Sequence, residues 1–318
     1  MNSGLIMAEA AETGRENWER SVVEKLALAA LEEQKRARHW SIFFKLLVMI
    51  YLFIILFMAL GWIGDKDRVT GGPHSALVEL RGVIADDEPA SAERVIEGLQ
   101  DAFKDKNTRG VILRINSPGG SPVQAGYIND EIRRLRNEYP QIPIYAVVED
   151  ICASGGYYAA VATNSIYVDK ASVIGSIGVL IDSFGFTEAM KKLGIERRLM
   201  TAGENKGFLD PFSPLEPEHR DHAKKMLQEV HRQFVDVVRA GRGDRLKNHP
   251  ELFTGLIWSG EKSIELGLAD ATGSADYVAR EIIKAEEIVD FTPEENLADR
   301  LAKRFGAGVA SGLVNLLG

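Results

Sequence analysis

Nineteen consecutive residues without a charge, Leu46 to Gly64, constrain this chain more than any other feature. As a helix such a run reaches ~28 Å, close to the ~30 Å hydrocarbon core of a bilayer, so it predicts a transmembrane helix. About 45 residues precede it and the apolar stretch outlasts a signal-peptide h-region, which argues against a cleaved leader. The chain then divides into an amino-terminal segment (1–45), the span (46–64), a polar linker (65–75) and one domain (76–318). Within the first segment, Trp18 to Glu32 carries apolar residues at helical spacing and predicts an amphipathic or solvated helix, resting on a membrane surface or a partner. Lys35, Arg36, Arg38 and Lys45 lie before the span against Lys66, Arg68 and Arg81 after it. With a long carboxyl-terminal domain, this places the amino terminus in the cytoplasm and the domain outside.

The remaining ~250 residues suit one compact domain. Short apolar strands at Ala76–Leu80, Val111–Ile115, Ile142–Val148 and Ile166–Val168 alternate with helical patterns at Ser91–Lys104, Val123–Arg136 and Gly155–Ala162. Alternation of this kind predicts an α/β fold with crossover connections and a mainly parallel sheet. Glu216–Arg239 reads as one long helix. A net charge of −8 with no basic stripe argues against nucleic-acid binding. The single Cys152 excludes an intrachain disulfide and a cysteine-based metal site.

Ser154, in Ala153-Ser-Gly-Gly-Tyr-Tyr158, stands where an apolar strand gives way to an alanine-rich helix, a setting in which a serine hydroxyl can act as a nucleophile. Upstream, the strand ending at Ile115 runs into Asn116-Ser-Pro-Gly-Gly120. Glycine amides there can face a developing negative charge, with Gly119 as one donor and Gly155 as the second; an ordinary strand-to-helix turn is the competing reading. Cys152, two residues before Ser154, reads as a small buried residue rather than a nucleophile. Of six histidines (His39, His74, His219, His222, His231, His249), none lies in a loop context that suggests a triad. His219 and His222 could hold a metal, but no third ligand is evident and a solvated helix face accounts for them. Lysine is the other base able to activate serine. Lys206 lies between turn residues, near Phe208 and Phe212, whose apolar rings could desolvate an amine; on its own it also reads as a surface lysine.

Taken together, Asn116-Ser-Pro-Gly-Gly120, Ala153-Ser-Gly-Gly-Tyr-Tyr158, Val173-Ile-Gly-Ser-Ile-Gly-Val179, Gly203-Glu-Asn-Lys206, Pro211-Phe-Ser-Pro-Leu215 and the late Trp258 to Asp270 segment resemble the signal peptide peptidase A family in its short, single-repeat form. The resemblance runs from about Ala76 to about Asp276. It implies a superhelix of strand-strand-helix units of the kind shared by the Clp protease and the crotonases. It also implies a serine endopeptidase in the bacterial plasma membrane, with Ser154 as nucleophile, Lys206 as general base and Ser176 orienting the lysine amine. No cofactor or metal is implied. The partners implied are peptide substrates, remnants of cleaved signal peptides, and further copies of the chain, in a ring whose sites take serine and lysine from neighbouring protomers. Two other classes compete: a crotonase-like acyl-CoA enzyme, which would not need Ser154, and a noncatalytic membrane scaffold, which would leave the Ser154, Ser176 and Lys206 set unexplained. The small apolar tail Phe305–Gly318 resembles such substrates and is expected to be able to enter the chain's own groove.

Overall fold

The structure is a computed structural model that describes residues 3–59 and 72–293. Two compact units emerge, the second spanning Arg68–Glu295. The first is represented by α1 (Ser3–Ala59), a single helix of 57 residues. Within Leu31–Phe57 an 18-residue window has mean hydropathy 2.4, so the helix is long and apolar enough to cross a membrane. The expected boundary at residue 45 is not a break in the backbone, because the same helix continues through it. Residues 60–64 of the expected span, residues 65–71 of the expected linker and the tail Phe305–Gly318 lie outside the described residues.

The second unit is built on an eight-stranded sheet. Its strands are β1 (His74–Ile84), β2 (Thr108–Gly120), β3 (Ile144–Ala153), β4 (Ser165–Val168), β5 (Val173–Gly175), β6 (Ile257–Ser259), β7 (Ala271–Thr272) and β8 (Ile288–Asp290). The helices are α2 (Ala92–Lys104), α3 (Pro122–Glu138), α4 (Gly155–Ala160), α5 (Thr187–Lys192), α6 (Pro217–Arg242), α7 (Gly260–Glu265) and α8 (Ala275–Tyr277). Strand order along the main path is β6-β5-β3-β2-β1-β8, with β4 paired to β3 and β7 to β4. Every pairing is parallel except β5 with β6.

Side chains on a strand point alternately to the two faces, and here both faces find cover. Val78, Leu80, Val111, Leu113, Ile115, Ala146 and Val148 face α2 and α3, whose buried residues Val95, Leu99, Ala102 and Ile128, Ile132, Leu135 recur at three- and four-residue spacing. On the other face Leu77, Ile112, Val147 and Tyr167 pack against Val278 and Ala279. The α/β class and parallel sheet expected from the sequence are thus observed. Strands are longer than expected where neighbours run alongside them: β1 and β2 stay paired, through a register shift after Arg81, out to Ile84 and Gly120.

The carboxyl end of α6 is fixed to the sheet by a buried pair. Arg242 donates from both Nη atoms to the Asp270 carboxylate (2.8 and 2.9 Å) and from Nε to the Gly267 carbonyl (2.8 Å), and Asp270 also accepts the Ile166 amide (2.7 Å). Burial opposes ionisation of Asp270, but the Arg242 hydrogen bonds and charge, the Ile166 amide and Arg245 outweigh it and hold the carboxyl below its usual range. Such a group stabilises the fold above the unfolded carboxylate pKa of ~3.9, and that contribution is lost as pH falls through the lower folded value. Asp270→Asn is expected to cost roughly 3 kcal/mol at pH 7, because it leaves Arg242 buried against a neutral partner. Thermal unfolding at pH 7 and pH 3 checks this: the gap between parent and variant should narrow in acid.

Candidate active site

Three strand ends meet at the carboxyl edge of the sheet. The segment Asn116–Gly120 is not a free turn; it continues β2, with register shifts in the ladders to β1 and β3. Ser117 is fully buried within it, donating to the Gly82 carbonyl (2.6 Å) and accepting the Gly119 amide (3.1 Å). Asn116 donates to Asp150 (2.8 Å), tying the end of β2 to β3.

Beyond β3 the chain turns sharply at Ser154 and enters α4. Ser154 has φ 50 and ψ −120, a conformation that costs a non-glycine residue about 1–3 kcal/mol and is kept only where the surroundings enforce it. Here its amide donates to the Gly175 carbonyl (2.9 Å), while its own carbonyl accepts the Tyr158 amide (2.9 Å). Below it Tyr157 is buried and donates its hydroxyl to the Leu268 carbonyl (2.8 Å). A strained strand-to-helix serine is the backbone form in which a nucleophilic hydroxyl stands clear of its own chain. Ser154 is partly exposed.

Gly119, at φ 98, lies directly against this turn. A β-carbon there would come within 2.6 Å of the Gly155 nitrogen and 2.7 Å of the Ser154 β-carbon, so no other residue fits. The next amide, that of Gly120, also lies beside the turn, 3.3 Å from where a β-carbon of Gly155 would stand. Ser176 follows β5, also at positive φ (53), with its amide donating to the Leu256 carbonyl (2.8 Å). Because Ser154 hydrogen-bonds the residue before Ser176, the structure brings Ser154, Gly155, Gly119 and Ser176 to one place. Cys152, two residues earlier on β3, is fully buried, and burial pushes its thiol up, away from the thiolate that nucleophilic chemistry needs.

Lys206 is not brought there. It is exposed, and its side chain has no hydrogen bond or ion pair among the described residues. The rings expected to shield it are engaged elsewhere: Phe208 meets His219 and His222 edge-on (5.5 Å each), and Phe212 stacks on Phe186 (5.4 Å) beneath Arg197. Asn205 pairs with His219 (3.1 Å), whereas His231 donates to the carbonyl of Ile177, the neighbour of Ser176 (3.2 Å). His219 and His231 are twelve residues apart on α6, ~18 Å along its axis. The Lys206 segment is therefore anchored at the amino-terminal end of α6, whereas the neighbour of Ser176 meets the middle of that helix.

Sequence reading missed the polar residues that hold the glycines. Ser117 and Asn116 sit inside a recognised motif and Asp150 just before another, and their visible signal is that polar side chains interrupt apolar strands at corresponding ends.

The family model described as peptidase family S49 matches residues 137–289. A Methanocaldococcus jannaschii protein named "Putative protease MJ0651" is 30% identical over 295 residues, covering 85% of this chain and 94% of its own length. The chain belongs to peptidase family S49. Other matches span a smaller share of the relative. A chloroplast protein of Arabidopsis thaliana named "Serine protease SPPA" is 30% identical over 67% of this chain and 32% of its own length. A Brucella melitensis protein named "Na(+)/H(+) antiporter NhaA" is 42% identical over 68% of this chain, and the match spans only 29% of that protein. The chain thus covers less than a third of the length of that relative.

Substitutions at Gly119 and Ser154, with Gly126 as a control, test the site geometry. Gly119→Ala must displace the Ser154–Gly155 turn, and a loss of ~2 kcal/mol or more in thermal or denaturant stability is expected. Gly126→Ala on α3, where nothing stands within 4 Å, should instead raise stability by ~0.5–1 kcal/mol. At the strained position, Ser154→Gly should be ~1 kcal/mol more stable than Ser154→Ala, because only glycine takes that backbone without strain.

Proposed function

We propose that this chain is a membrane-anchored serine endopeptidase that uses a serine-lysine pair to cleave apolar peptides such as signal-peptide remnants. The observation that supports it is the strained Ser154, packed against Gly119 and linked through Gly175 to Ser176. The family membership and the apolar span of α1 fit the same reading. The amino terminus is proposed to be cytoplasmic and the S49 domain extracytoplasmic, with the domain boundaries near residues 45, 64 and 75.

In the proposed reaction the neutral Lys206 amine takes the proton of Ser154 as Oγ bonds to the scissile carbonyl carbon, and the carbonyl π electrons move onto oxygen. The Gly155 amide and an amide of the Gly119–Gly120 pair stabilise that oxyanion. Gly119 gives its amide to Ser117 in the unliganded chain, so either the Ser117 bond is exchanged on substrate binding or the Gly120 amide takes its place. Collapse breaks the C–N bond, and the lysine ammonium protonates the leaving amine. Water, deprotonated by the same lysine, then attacks the ester carbonyl; Ser154 leaves and recovers its proton.

The base is proposed to come from a neighbouring copy. Lys206 is anchored away from Ser176 in its own chain, and its segment exposes Leu180, Phe184, Leu193 and Met200, which is apolar surface suited to an assembly. An amine covered by another protomer and a bound peptide also loses the water that favours its protonated form.

A fluorogenic leader-derived peptide and the full chain in detergent test this reading. Ser154→Ala and Lys206→Ala are each expected to lower kcat by at least 10³-fold. Co-assembly of the two inactive variants should restore a measurable fraction of activity, since a mixed assembly contains sites with both groups. No recovery on verified co-assembly would refute the shared site, and full activity in either single variant would refute the mechanism.

A further inference from the structure

At the opposite end of the sheet from Ser154, ~30 Å away along β3, a cavity of about 360 Å³ opens between the carboxyl end of α3 and the start of β3. It lies within the ~300–1,000 Å³ range of small-ligand clefts. Arg133, Arg136, Asn137, Pro140, Pro143 and Asn164 line it, and no carboxylate does.

Its donors are only partly used. Arg133 buries Nε and one Nη with no hydrogen-bond partner. Arg136, one turn on, gives one Nη to the Ala162 carbonyl (2.5 Å) at the end of α4. Asn164 spends its side-chain oxygen on the Ile144 amide (3.0 Å), which leaves its NH₂ as a donor. Of the acids on α3, Glu131 and Glu138 pair with Arg134, and Asp130, three residues before Arg133, is exposed and is not part of the cavity lining. Burial, and after it the charges of Arg133 and Arg245, also make Arg136 easier to deprotonate than an ordinary arginine.

Buried guanidinium nitrogens without a partner are costly, and those of Arg133, beside Arg136 and the side-chain amides of Asn137 and Asn164, match a doubly charged oxyanion that accepts along several directions. We propose that this pocket binds a phosphate group, with Arg133 as the bidentate anchor and Arg136, Asn137 and Asn164 as flanking donors. Free phosphate and the headgroup of an anionic phospholipid share that chemistry.

The full chain in a phosphate-free detergent is titrated with inorganic phosphate and, separately, with short-chain phosphatidic acid, at ionic strength matched with chloride; binding is followed by ³¹P line width and by thermal midpoint. Saturable binding is expected, weakened roughly tenfold or more in Arg133→Gln and unchanged in Arg134→Gln. The unliganded midpoint of Arg133→Gln should equal or exceed that of the parent, because the substitution removes an unpartnered charge; a purely structural arginine would lower it. Should Arg133→Gln fail to fold, Arg133→Lys, which keeps the charge and loses the fork, must still weaken binding several-fold. Tighter binding of phosphatidic acid assigns a lipid headgroup, and equal or tighter binding of inorganic phosphate assigns the free ion. No saturable binding of either, or equal loss in Arg133→Gln and Arg134→Gln, overturns the proposal.

Discussion

The carboxyl ends of β2, β3 and β5 approach one another closely enough that a single β-carbon decides whether they fit. Gly119 lies against the β-carbon of Ser154, and Ser154 donates its amide to the carbonyl before Ser176. The conformation of Ser154 is unfavourable in isolation and is held by parts of the structure made for other reasons: the parallel ladder of β3, the buried start of α4 and the Tyr157 hydroxyl on Leu268. Strain at one residue is thereby spread over a rigid sheet, which sets the serine hydroxyl at a fixed place relative to the glycine amides.

Much of this arrangement was legible in the sequence because it rests on long-range periodicity and on residue types with few alternatives. The first three strands and the amphipathic faces of α2 and α3 repeat apolar residues often enough to declare themselves, and Ser154, Ser176 and the paired glycines lie in recognisable runs. By contrast, β5 to β8 are two or three residues each and exist only because a neighbour supplies the hydrogen bonds, so no pattern within them could announce a strand. Asn116–Gly120 reads as a turn from its proline and glycines, yet it is extended because β1 continues beside it. Ser117 illustrates the same limit: its importance lies in the Gly82 carbonyl, 35 residues away, and nothing local points there.

Lys206 shows where sequence proximity misleads. Phe208 and Phe212 flank it in the chain, but those rings belong to contacts with α6 and α5-side residues, and the amine faces water. Under the proposed mechanism this exposure is a property of the isolated chain. A nucleophile set by the sheet and a base carried on a separate segment would make activity depend on assembly, so a lone copy would hold a prepared serine without the means to deprotonate it. Such an arrangement restrains a peptidase until its neighbours are in place, without any inhibitory segment.

The same domain treats the buried nitrogens of two arginines in opposite ways. Arg242 is almost wholly buried, yet its Nε and both Nη atoms meet the Gly267 carbonyl and the Asp270 carboxylate, and the fold gains a fixed joint between α6 and the sheet. Arg133 buries two nitrogens that meet nothing, although the acids of its own helix stand within reach of the adjacent arginine. A sequence able to satisfy one guanidinium fully does not lack the means to satisfy another. An arginine whose only remaining purpose were packing could be replaced by an apolar residue of similar volume at no loss, since burying an unmatched charge is among the costlier features a fold can carry. The open valence of Arg133, facing a cavity without acids, is therefore better understood as one half of an interaction whose other half is an anion.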